Sequence, residues 1–178
     1  MTSTDTPAPS AAEAEKPTIV QGPRLFPAGV YAAVDPMLVL PGDAWQHIVF
    51  TLMTSRASVT VNYRGGLILV WTTRNGEGVY PLYEGGCFRA NVITDNCLLC
   101  LAPVELLELP CSPDEAKNTM ANTGIGIYEV GATAPRITAD GNVAHGDFEV
   151  ITSEFTTQPY NFADDAEQQD NPDGSGHQ

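Results

Sequence analysis

The chain reads as an all-β protein: an antiparallel β-sandwich, jelly-roll-like or immunoglobulin-like, with one short helix and flexible acidic termini. A β-barrel is the alternative. Short apolar runs alternate with polar residues at a period of two. Glycine-rich turns separate them, at Arg64-Gly65-Gly66, Asn75-Gly76 and Glu84-Gly85-Gly86. One stretch alone carries the signature of a helix start. Many short strands punctuated by such turns close as sandwiches or barrels.

The two ends differ from the middle. Residues 1–16 contain no aromatic residue and no Ile, Leu or Val, and residues 163–178 are rich in Asp, Gln and Gly. Neither stretch can bury enough apolar surface to offset the entropy of ordering, so both are expected to be flexible. That leaves one β-domain over residues 17–162. A domain of roughly 150 residues buries about two thirds of its unfolded surface.

Within that domain, Pro27–Val34 is the first expected strand, with Val30, Ala32 and Val34 on one face. Gln46–Met53 alternates next, placing Ile48, Phe50 and Leu52 together. Ala57–Tyr63 alternates most cleanly, with Val59, Val61 and Tyr63 inward and Ser58, Thr60 and Asn62 outward. After the Arg64-Gly65-Gly66 turn comes Leu67–Thr73. Its apolar opening predicts a strand covered on both faces.

Asn75-Gly76 then predicts a two-residue type I′ hairpin into Gly78–Tyr83, because both residues tolerate positive φ. Glu84-Gly85-Gly86 turns into Cys87–Thr94, and Asp95-Asn96 leads into Cys97–Leu101. Val104–Leu109 fits a strand or a short helical turn. Ser112-Pro113-Asp114-Glu115 has the order of an N-cap, a first-turn proline and first-turn acids, predicting a helix to about Asn122. Strands resume at Ile125–Val130 and at Phe148–Ile151. The loop-rich stretch between them has a turn at Asp140-Gly141.

Net charge is −14, from 22 acidic and 8 basic residues. Such a surface repels phosphate backbones and disfavours anionic membranes, so neither nucleic acid nor membrane is an expected partner. No apolar stretch approaches the roughly 18 residues of a membrane span. The N-terminus lacks the basic start and apolar run of an export signal. Synthesis in the cytoplasm without export is therefore expected, and the four cysteines are expected as free thiols.

Asn96-Cys97-Leu98-Leu99-Cys100 looks most like chemistry. A zinc knuckle needs both sulfurs on one side, and the intervening residues here are leucines. In a strand Cys97 and Cys100 fall on opposite faces. Cys87 and Cys111 complete no common zinc spacing. The cysteines thus read as small core hydrophobes, with no metal or cofactor expected. His47, His145 and His177 are scattered. His145-Gly146-Asp147 brings a histidine and a carboxylate close in sequence, but no nucleophile elbow accompanies them. Trp71, Tyr80, Tyr83 and Phe88 read as core, with a minority free to form a partner patch.

Two functions are expected from this. The first is a non-enzymatic structural or interaction protein of a symmetric assembly. Its partners are then proteins, through self-association or a capsid-like lattice. The specific setting is a virion component, such as a capsid decoration or head-surface protein of a tailed phage. The alternative is a small ligand-binding β-barrel or enzyme with its site in residues 132–147, at His145 and Asp147.

Overall fold

The computed structural model describes residues 16–40, 42–55, 58–107 and 124–153. The expected helix after Ser112, the C-terminal tail and all of the N-terminal arm but Lys16 lie outside them. The first described elements are β1 (Thr18–Val20), β2 (Gly29–Val34), a 3-10 turn (Pro36–Leu38) and α1 (Gly42–Ser55). Next come β3 (Ser58–Tyr63), β4 (Gly66–Thr72), β5 (Gly78–Glu84), β6 (Cys87–Thr94) and β7 (Leu98–Pro103). A second 3-10 turn (Val104–Leu106), β8 (Gly126–Val130), β9 (Arg136–Ile137), β10 (Val143–His145) and β11 (Phe148–Val150) complete the order.

Two antiparallel sheets pack face to face and do not close into a barrel, which removes that alternative. One sheet runs β1-β3-β4-β7-β2-β8 and the other β6-β5-β11-β10-β9. The six-stranded sheet is covered on both sides. Val59, Val61, Ile68, Val70, Leu98 and Cys100 share one cluster with Ile48 and Leu52 of α1. Leu69, Trp71, Leu99 and Leu101 share the other with Tyr80, Leu82, Val92 and Val150 of the second sheet. The doubly apolar β4 and β7 are central for this reason.

Gln46–Met53, expected as a strand, lies inside α1. Ile48 and Leu52 are buried and Trp45 and Val49 half-buried, while Phe50 is 67% exposed. Positions i and i+4 coincide at a period of 2 and at 3.6 alike, so Ile48 and Leu52 satisfy both. Trp45 and Val49 share their side only in a helix, and that placement covers the outer face of the six-stranded sheet.

Asn75-Gly76 does not close a hairpin. β4 pairs with β3 and β7, and β5 with β6 and β11, so the turn carries the chain between sheets. Gly76 has φ +87°, whereas Asn75 does not share the positive φ that a type I′ turn needs at both positions. Thr73 Oγ1 donates to the Gly76 carbonyl, and Tyr80 Oη reaches the same carbonyl at 2.6 Å. Side-chain hydroxyls thus hold the Gly76 carbonyl within the crossover. Arg64-Gly65 (φ +48° and +78°) and Gly85-Gly86 (φ +53° and +83°) do form two-residue hairpins with positive φ throughout.

Pro81 sits in β5 between two neighbours, where a missing N–H is costly. Its carbonyl accepts from Ile151 N at 3.0 Å, so the absent donor also faces β11. No bond can return to Ile151, and the ladder stops at Val150. Asn142 then holds the departing chain, its Oδ1 accepting from Thr152 N at 2.9 Å and Ser153 N at 3.0 Å.

Candidate functional site

The expected pair His145 and Asp147 is not brought together. His145 is 1% exposed at the end of β10, packed edge-on at 4.9 Å from Tyr31 and 5.6 Å from Phe26. Tyr128 Oη lies 3.0 Å from its Nδ1. Burial lowers its pKa to about 4, with a smaller opposing pull from the Thr133 backbone. Nε2 is buried and makes no hydrogen bond of ordinary geometry. Asp147 is exposed in the β10–β11 turn, where its carbonyl accepts from Gly85 N at 2.9 Å. Residues two apart would share a face in a continuous strand, so the split comes from the turn that begins at Gly146, φ +63°. His145 continues the inward face of Val143, and the glycine between the pair turns the chain away. The stretch around them builds the edge strand β9 and its neighbour β10. Side chains of His47 and residues near His177 lie outside the described set.

The expectation that the cysteines are core hydrophobes holds only for Cys100 among those described, because Cys97 lies in the turn before β7 and Cys87 at the β5–β6 hairpin, where both are exposed. Cys97 is exposed with φ +64°, just before β7, and Cys100 is buried against α1. Burial, then nearby Asp35, pushes the Cys100 thiol well up. Cys87 is exposed and Cys111 lies outside the described residues. Among the described residues no three His, Cys, Asp or Glu side chains gather to hold a metal.

Asp35 anchors a polar network with Thr94 and Asn96. Its Oδ1 accepts from Met37 N at 2.9 Å and Asn96 Nδ2 at 2.8 Å, and its Oδ2 from Thr94 Oγ1 at 3.0 Å. Asn96 Oδ1 in turn accepts from Leu98 N at 3.1 Å. The network ties the end of β2 to the β6–β7 connection. Its oxygens are occupied by these partners, which marks it as structural support.

Two surface features at one end of the sandwich combine apolar and charged side chains. The first is a groove of about 320 Å³. Tyr31, Leu67, Pro103 and Leu106 supply its apolar lining, and exposed Arg64 and Glu105 also line it. Gly66 permits this packing, since a Cβ there would lie 2.9 Å from Leu106 Cδ1. Burial and Glu105 both raise the Tyr31 phenol, whose hydroxyl donates to the Pro27 carbonyl at 2.9 Å. Arg64 stacks 5.1 Å from the Tyr63 ring centroid and makes no ion pair among the described residues.

The second feature is the β5–β6 hairpin tip. Phe88 is 52% exposed there, edge-on to Tyr83 at 6.1 Å. Arg89 forms an ion pair with Glu84. Trp71 and Tyr80 are core as expected, and Phe88 belongs to the exposed minority. The groove was hidden from the sequence because three distant segments build it. Its only local trace is the Arg64-Gly65 turn.

The chain matches no protein-family model, no curated protein and no solved structure.

Proposed function

We propose that this chain is a non-enzymatic structural or interaction protein of a symmetric assembly. The specific setting we propose is a virion surface, as a capsid decoration or head-surface protein of a tailed phage. The observation that carries the assembly reading is Phe88, a large apolar side chain 52% exposed beside an ion pair at a hairpin tip. Aromatic anchors ringed by polar groups are the residues on which interfaces concentrate their binding energy. Leu25, Met37, Leu38 and Phe50, each more than half exposed, add apolar surface elsewhere. A net charge of −14 suits an outer surface better than one facing packaged nucleic acid. No helix among the described residues is long and apolar enough to cross a membrane.

The test is the mass of the purified full-length chain in solution by light scattering, repeated on a variant lacking residues 1–16. A discrete oligomer is expected, and its loss on trimming would identify the arm as the clasp. A chain that stays strictly monomeric at every concentration would remove the reading.

A further inference from the structure

This inference rests on the assembly reading and names its contact surface. We propose that the Phe88 tip of one copy docks into the Arg64–Glu105 groove of a second copy. The tip offers an apolar ring flanked by an acid, Glu84, and a base, Arg89. The groove offers an apolar floor flanked by a base, Arg64, and an acid, Glu105. Seating Phe88 on Tyr31, Leu67, Pro103 and Leu106 lets Glu84 meet Arg64 and Arg89 meet Glu105.

Placement permits the exchange to be mutual. Gly85 N bonds to the Asp147 carbonyl at 2.9 Å, so the tip adjoins the β10–β11 turn. A Cβ on Gly146 of that turn would lie 2.5 Å from Val130, and Val130 pairs with Gly29, which lines the groove. Tip and groove therefore share one end of the molecule. Two complementary patches at one end can both be filled across a two-fold axis, giving a closed dimer instead of an open chain.

Strand addition at the β6 edge is the competing geometry, and the edge is blunted against it. Leu82 pairs with Ala90 but Tyr83 with Phe88, which leaves Arg89 as a bulge. Ile93 N is already bonded to the Gly124 carbonyl at 2.9 Å. Side-chain docking is left as the use of the tip.

The experiment measures association of the full chain by sedimentation across concentration, with circular dichroism to confirm folding. Phe88→Asp and Arg64→Glu should each weaken association about tenfold or more. Arg64→Glu combined with Glu84→Arg should restore it, and these exposed charge variants carry the test should Phe88→Asp fail to fold. Wild-type assembly unchanged by Phe88→Asp and Arg64→Glu would overturn this interface while leaving the assembly reading standing. A double variant no better than Arg64→Glu alone would overturn the charge pairing. A wild-type chain that never associates would overturn both.

Discussion

Tyr128 Oη and His145 Nδ1 lie 3.0 Å apart with both side chains buried between the sheets. The burial of His145 couples folding to pH. Burial lowers the histidine from 6.5 to about 4 in the folded chain, while the unfolded chain keeps the ordinary value. Between those values the unfolded state binds more protons, so stability is full above about pH 6.5 and falls as pH drops towards about 4. Below that both states are protonated and this contribution levels off. A shift of this size corresponds to about 3 kcal/mol. Urea unfolding of His145→Gln should show a shallower pH dependence than wild type over that range. Parallel stability curves would refute the assignment, and His47 and His177 cancel in the comparison.

The layers of the fold were legible wherever burial has a single period. Val59, Val61 and Tyr63 face the helix side as their alternation predicts, and the apolar β4 is covered twice. The helix α1 is not legible from Ile48 and Leu52, which satisfy two periods at once, so only the wider context of Trp45 and Val49 separates helix from strand. Asn75-Gly76 misled for another reason. A dipeptide reports the dihedrals a turn can take, but not whether its flanks join one sheet or bridge two. His145 and Asp147 stand two apart in sequence, yet the chain leaves the strand at Gly146, so one stays inward and the other lies in solvent. Beyond the Arg64-Gly65 turn the groove has no sequence signal, since Tyr31, Arg64 and Glu105 meet only after β2, β4 and β7 align.

Gly146 and Gly85 separate two demands that sequence cannot tell apart. Both have positive φ, +63° and +53°. Nothing lies within 4 Å of a Cβ at Gly85, whereas one at Gly146 would stand 2.5 Å from Val130 Cγ2. Gly85→Ala should therefore cost about 1 kcal/mol, the left-handed penalty alone. Gly146→Ala adds overpacking against a stiff β-branched side chain and should cost about 3 kcal/mol. Denaturant unfolding of the two variants side by side measures the difference. Equal losses would show that Val130 yields without cost.

Cys97 and Cys100 stand three residues apart and should behave as unrelated thiols. Cys97 is exposed, while Cys100 is fully buried against α1 with its pKa pushed well up. Only a thiolate attacks an alkylating agent, so both access and charge protect Cys100. Brief iodoacetamide treatment of the native chain, read by peptide mass spectrometry, should label Cys97 and the exposed Cys87. Label should reach Cys100 only after denaturation. Simultaneous native labelling of Cys97 and Cys100 would mean that β7 opens at its start, and with it the packing of α1 on the six-stranded sheet. A native disulfide between them would require the strand to turn both sulfurs to one side, against the alternation that places Leu99 and Leu101 on the opposite face.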